Sequence, residues 1–182
     1  MRSKYRMIAI ILALLLCAMC TLSGCNSQKK QLEDALNRSL DNFIDALSDS
    51  NLSGMEVYVY SNEEIICTYG PYGVDNLIHD VENGVFGQKF YISNTELINN
   101  KEILNEIGGW KLVPILDSNC REDIRICYVF QTNNNSKILE IAIGGYSQVE
   151  DCPVMFVNGF PVELDMTYGR LVENLLQGVV CQ

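Results

Sequence analysis

The stretch IRICYVFQTNNNSKILEIAI, residues 124–143, decides the fold of this chain. On both sides of Thr132–Ser136, β-branched and aromatic residues predominate, and this composition favours strands. The five polar residues between them are typical of a turn, so we expect two antiparallel strands. Farther along, Asn158-Gly159 stands between apolar residues and predicts a second hairpin. An antiparallel sheet therefore forms the centre of the expected fold.

Short β-type segments separated by turn residues recur over most of the chain. The pattern predicts a hairpin near its start, in which Ser61–Glu64 joins two strands. The predicted strands are Met55–Tyr60, Ile65–Tyr69, Gln88–Ile92, Lys111–Leu116, Ile124–Gln131, Lys137–Ile143, Val154–Val157 and Phe160–Leu164.

Helices are expected at both ends and in the middle of the chain. Spacings of three and four residues put one apolar stripe on an N-terminal amphipathic helix, which we expect to pack on the sheet. The stripe consists of Leu32, Ala35, Leu36, Leu40, Phe43, Ile44 and Leu47. A short helix, Asp75–Val81, is expected to be capped by Asp75, and another should run from Ser93 to Ile107. Asp165 should start a C-terminal helix that ends before Gly178. The fold class is therefore α+β, with a mainly antiparallel sheet.

The first 25 residues have the pattern of an export signal. Basic residues at positions 2, 4 and 6 precede an apolar run, Met7–Cys20, that is too short to cross a bilayer. The run leads to Leu22-Ser23-Gly24-Cys25, which resembles the lipobox of bacterial lipoproteins. This resemblance implies that Cys25 receives a diacylglycerol and becomes the first residue of the mature protein. An ordinary signal peptide cleaved nearby, or a short uncleaved anchor, is the alternative, and each would export the domain.

This resemblance implies three regions: a signal peptide (1–24), a lipidated tether (25–31), and a single α+β extracytoplasmic domain (32–182). Its location would be the outer face of the cell membrane, because two acyl chains give stable anchoring. Removing residues 1–24 from the 182 residues leaves 158, enough for one core. The signal contains three of the 13 basic residues and none of the 23 acidic ones, so the mature charge is −13. This charge disfavours nucleic acid as a partner.

Five cysteines remain after the signal and the lipidated residue are set aside: Cys67, Cys120, Cys127, Cys152 and Cys181. Export permits disulfides, and we expect the local pair Cys120–Cys127. The alternative is that several are small buried thiols. The spacing of this pair does not match a structural zinc site.

Few residues suggest catalysis or metal binding. His79 is the only histidine, so an enzyme with Cys67 as nucleophile would need it as the base. Oxygen ligands for calcium occur at Asp117, Asn119, Glu122 and Asp123, but they lack the spacing of an EF-hand loop. We therefore expect no metal and no cofactor.

Tyrosines offer a possible binding surface. Tyr58 and Tyr60 share the face of a predicted strand opposite Val57 and Val59, and tyrosine combines apolar area with a hydroxyl group. They could contact a peptide or glycan, or they could simply stabilise the sheet through cross-strand pairs. The sequence favours a non-enzymatic domain that binds an envelope protein, peptide or glycan; the alternative is a small secreted hydrolase that uses His79.

Overall fold

A computed structural model of the chain describes residues 27–48, 51–60, 71–99, 101–116, 120–147 and 152–163. Within these residues, six antiparallel strands form one sheet in the order β2-β1-β3-β4-β5-β6. The strands are β1 Leu52–Val59, β2 Gln88–Ser93, β3 Arg121–Thr132, β4 Lys137–Ser147, β5 Cys152–Val157 and β6 Phe160–Glu163. The helices are α1 at 27–48, α2 Val74–Glu82, α3 Asn94–Asn99 and α4 Lys101–Gly108. The predicted α+β class is confirmed.

Both predicted turns within the second half of the sheet are present. Asn158 and Gly159 both have positive φ, 49° and 80°, as a type I′ turn between β5 and β6 requires. Between β3 and β4, the N–H of Thr132 donates to the carbonyl of Ser136, and Asn135 adopts φ 57°. These short connections make β3 to β6 consecutive neighbours in the sheet.

The sheet carries apolar side chains on both faces. One face packs against α1, α3 and α4, and its core includes Phe43 of α1, Leu104 of α4 and Phe130 of β3. The rings of Phe43 and Phe130 meet edge to face with centroids 4.9 Å apart. The N-terminal helix is therefore packed on the sheet, as its stripe predicts.

A second core lies on the other face, beneath α2. Leu77 and Val81 of α2 pack among buried residues that include Cys127, Val129 and Phe156. Strands with both faces covered need apolar residues at successive positions, because neighbouring side chains point to opposite faces. The run from Cys127 to Phe130 meets this requirement, since all four residues are buried.

The first half of the sheet differs from the predicted hairpin. Strand β1 pairs with β2 along one edge and with β3 along the other, so both of its edges are occupied. The segment Ile65–Tyr69, predicted as its partner, lies outside the described residues. The C-terminal helix after Asp165 and the region 1–25, including Cys25, also lie outside them.

Three local predictions need correction. Residues 27–31 of the expected tether already belong to α1. In α2 the N-cap is Gly73 rather than Asp75, and Asn76 Oδ1 accepts a hydrogen bond from the Gly73 N–H at 3.3 Å. The helix expected from Ser93 to Ile107 corresponds to α3 and α4, which lie on either side of residue 100, outside the described residues. Finally, Lys111–Leu116 is not a regular strand.

The last difference arises from proline. Pro114 forms an isolated bridge with Val162 at the β6 edge. There Ile115 donates to the carbonyl of Pro161, and Glu163 donates to that of Val113. Proline has no N–H to extend a ladder, and so it occurs at sheet edges.

None of the helices in the described ranges is both long enough and apolar enough to span a membrane.

Candidate ligand-binding cleft

Two irregularities in strand pairing build the candidate site. The β3–β4 register shifts between Glu122 and Ile126, and the β4–β5 register shifts between Ile143 and Gly145. A bulge adds an unpaired residue, bends the strand and changes the direction of its side chains. The sheet is therefore distorted where β3 begins and β4 approaches its end.

Tyr72 forms backbone hydrogen bonds with the bulged part of β3, along the edge that faces away from β4. Tyr72 donates its N–H to the carbonyl of Glu122 at 2.9 Å and accepts from the N–H of Ile124 at 2.8 Å. Next to it, the N–H of Tyr60 donates to the carbonyl of Arg125 at 2.8 Å. These bonds hold the distorted part of β3 in place beyond the end of β1.

Glycine is required on the β4 side of the bulge. Gly144 has φ +120°, and a Cβ added there would meet the backbone carbonyl of Asp123. Most L-residues rarely adopt this conformation. Only glycine therefore lets the two backbones approach this closely, and an open space lies beside them.

That space is a cleft of about 380 Å³. It is lined by Arg121, Asp123, Arg125, Gly144, Gly145 and Tyr146, which we call the bulge cleft. Its volume is within the range of small-molecule sites. The ring of Tyr146 supplies apolar area at its wall, with 41% of the residue exposed.

Arg125 is held rigidly in the bulge cleft. Its Nη2 lies 2.6 Å from Oδ1 of Asp123, so this carboxylate oxygen is ion-paired although it has no further hydrogen-bond partner among the described residues. The guanidinium also lies 4.4 Å from the centroid of the Tyr60 ring and 6.0 Å from that of Tyr72. Aromatic faces attract a cation at such distances, so these contacts fix the guanidinium plane.

Arg121 differs from Arg125 in its environment. It is exposed, and within the described part of the chain it forms no ion pair. The charges of Arg121, Arg125 and Asp123 together make the cleft positive by one unit, on a chain whose net charge is −10. The bulge cleft is thus a local cationic site on an acidic protein.

The structure separates the two tyrosines proposed for binding. Tyr58 is 3% exposed and belongs to the core beneath α2, so it does not form an open surface. Its hydroxyl donates to Glu56 Oε2 at 2.8 Å. Burial raises the pKa of Tyr58 to about 12, and the hydrogen bond to Glu56 and its negative charge act in the same direction, against the opposing effect of Lys89. Tyr60, by contrast, lies under Arg125 at the bulge cleft.

Lys89 completes the network around Tyr58. Its Nζ lies 2.8 Å from Glu56 Oε1 and 4.9 Å above the Tyr58 ring. Burial acts to raise the pKa of Glu56, but the hydrogen bonds from Lys89 and Tyr58 outweigh it, and the pKa is lowered. This network stabilises the β1–β2 pair beneath α2, which is the structural role that cross-strand pairs predict.

His79 lies in the last turn of α2, with 73% of its side chain exposed. Its Nδ1 is 3.3 Å from Oδ1 of Asp80, whose other oxygen accepts from the Tyr72 hydroxyl at 2.8 Å. Burial and this bond to Asp80 raise the pKa of Tyr72. Cys67, the proposed nucleophile, lies outside the described residues.

The predicted Cys120–Cys127 disulfide is not present. Cys127 is a free thiol, fully buried in β3 opposite Tyr58 and Ala142, and burial raises its pKa. Cys120 directly precedes β3, so the two residues are roughly 20 Å apart along an extended strand. A disulfide requires Cα atoms within about 7 Å, which this geometry excludes.

The acidic residues considered for calcium are also separated. Asp123 lines the bulge cleft, whereas Glu122 lines a different cleft of about 270 Å³ at the start of α2. Successive strand residues point to opposite faces, which accounts for the division. Asp117 and Asn119 lie outside the described residues. In the described ranges, no group of three or more His, Cys, Asp or Glu residues could hold a metal ion.

Comparison with known proteins yields no significant match to a protein-family model, to a curated protein or to a solved structure.

Sequence reasoning missed Arg121, Arg125 and Tyr146 as members of one site. The signal that could have found them is Gly144-Gly145, because adjacent glycines within an otherwise apolar strand mark a bulge or a close backbone approach. The clustering of two arginines before β-type residues in an acidic chain is a second signal.

Proposed function

We propose that this protein is a lipid-anchored extracytoplasmic domain that binds a ligand in the bulge cleft and does not act as an enzyme. The observation that carries the binding proposal is a glycine-floored cleft in which one arginine is fixed and another is exposed. The anchoring proposal comes from the lipobox-like sequence that ends at Cys25.

The side chains of the bulge cleft support binding more than catalysis. Guanidinium groups remain charged at all ordinary pH values, so they hold anions well but exchange protons poorly. The carboxylate of the cleft, Asp123, already forms an ion pair with Arg125. Nucleophilic catalysis requires a nucleophile within hydrogen-bond reach of a base, and the residues that line this cleft include neither a Cys nor a His.

The rigidity of the site also supports binding. Arg125 is fixed by Asp123, by the Tyr60 ring and by the strand itself, so it loses little conformational freedom when a ligand arrives. Tyr60 thereby supports the site indirectly, by positioning Arg125.

The binding proposal is tested by recovering ligands from envelope extract with the purified protein. Arg121→Ala should lose a species that the wild type retains. Arg38→Ala is the matched control, because Arg38 is an exposed arginine on α1 whose Nε donates to the Asp34 carbonyl. Equal recovery by all three proteins would contradict the proposed role of the cleft.

The anchoring proposal has a separate test. Wild-type protein should partition with membranes and carry the mass of a diacylglycerol on the peptide that begins at Cys25. Cys25→Ser should leave the membrane fraction and lack the added mass. Identical partition of the two proteins would contradict the proposed anchor.

One observation favours the hydrolase alternative. His79 Nδ1 contacts Asp80, and such a carboxylate can orient an imidazole for general base catalysis. The protein would then hydrolyse a peptide, ester or glycan substrate, and His79→Ala would abolish the activity. Unchanged activity of His79→Ala would exclude this mechanism.

A further inference from the structure

We infer that the ligand of the bulge cleft carries an anionic group, a carboxylate or a phosphate, joined to an apolar or ring-shaped part. The inference rests on the proposed binding function and specifies the chemical class of its ligand.

The positive charges of the arginines in the cleft favour an anionic group on the ligand. Arg125 is largely neutralised by Asp123 at 2.6 Å, whereas Arg121 forms no ion pair within the described ranges. Arg121 therefore provides a positive charge that an anionic ligand can neutralise. Its planar guanidinium group can donate two parallel hydrogen bonds to the two oxygens of a carboxylate or phosphate. Arg125 keeps N–H groups beyond the one that faces Asp123, and these can donate to the same anion.

The lining and the volume of the bulge cleft favour an apolar or ring-shaped part in the remainder of the ligand. Gly144 and Gly145 line the cleft with backbone atoms only, because the space that their side chains would need is filled by the Asp123 backbone and the Phe156 ring. The Tyr146 ring provides an apolar wall beside them. A volume of about 380 Å³ suits a small molecule or the end of a longer chain.

The charge of the whole protein limits the size of the ligand's charged part. With a net charge of −10, the protein repels an extended polyanion over most of its surface. A compact anion is repelled less, and at the bulge cleft it meets the two arginines. The ligand is thus an anion with one localised charged group.

The test uses four ring compounds of similar size: phenyl phosphate, phenylacetate, benzyl alcohol and benzylamine. Their binding to ¹⁵N-labelled protein is measured from the amide signals of Gly144 and Gly145. Both anions, or one of them, should shift these signals to saturation, and the stronger anion identifies the charged group as phosphate or carboxylate. The alcohol and the amine should leave the signals unchanged.

Variants of Arg121 connect the result to the proposed contact. Arg121→Ala should weaken anion binding roughly tenfold or more, as expected for the loss of a charged hydrogen-bond donor. Arg121→Lys should recover part of the affinity, because it keeps the charge but loses the two-pronged geometry. Arg38→Ala should bind as the wild type does.

Two results would overturn the inference: shifts by benzyl alcohol or benzylamine as large as those by the anions, or anion binding that Arg121→Ala leaves intact. If neither anion binds but Arg121→Ala still loses its envelope ligand, the ligand class is wrong and the binding function stands. If the anions bind through Arg121 but the variants recover the same envelope species, the ligand class stands and the proposed function fails.

Discussion

Replacing Phe43 by alanine should test how strongly α1 is held on the sheet. The Phe43 ring is fully buried, and it meets the Phe130 ring with centroids 4.9 Å apart. Leu36 and Leu40 are also buried on α1, so the helix cannot move inward to fill the space that the missing ring leaves. Truncation of a buried phenylalanine costs about 3–5 kcal/mol, and a cavity that cannot collapse favours the upper half of that range.

Urea unfolding followed by the fluorescence of Trp110 is a suitable assay, because this one tryptophan lies in the same core. Phe160→Ala is the matched control, since Phe160 is 41% exposed on β6 and its truncation should cost only about 1 kcal/mol. An equal loss of unfolding free energy in the two variants would refute the packing of α1 described above.

Three further variants test other parts of the fold. Lys89→Met should lower the urea midpoint near neutral pH; the difference from wild type should shrink as the pH falls through the lowered pKa of Glu56, because only the ionised carboxyl gains from Lys89. A difference that grows on acidification would contradict this. Gly144→Ala should destabilise the protein by about 1–3 kcal/mol, more than Gly159→Ala, whose Cβ would meet open space. Cys127→Ala should leave the number of thiols that react in the native protein unchanged and lower it by one only after denaturation.

Local patterns predicted the strands and turns of the second half of the sheet well. The β-branched and aromatic residues of Ile124–Gln131 predict a strand, because such a run suits a sheet that is covered on both faces. Asn158-Gly159 predicts a tight turn, because both residues readily adopt the positive φ that a type I′ turn requires. The same local rules failed for β1. Its neighbours, β2 and β3, are distant in sequence, and no short-range pattern indicates which distant strand will pair with it.

The bulge cleft could be predicted only in part. Gly144-Gly145 indicates an irregular strand, but the position of Arg125 depends on Tyr60 and Tyr72, which approach it from other elements. The disulfide prediction failed for a related reason. Cys120 and Cys127 are close in the sequence, but the extended strand β3 places them far apart.

The helical conformation of residues 27–31 bears on how the domain would stand at a membrane. The described part of α1, residues 27–48, is about 33 Å long at 1.5 Å per residue. Leu32 is its first residue in the core, so roughly 8 Å of exposed helix in the described part precedes that contact. With a lipid on Cys25, this helical segment would act as a short stiff spacer rather than a flexible linker. It would fix the height and tilt of the sheet above the bilayer, and with them the direction from which a ligand reaches Arg121.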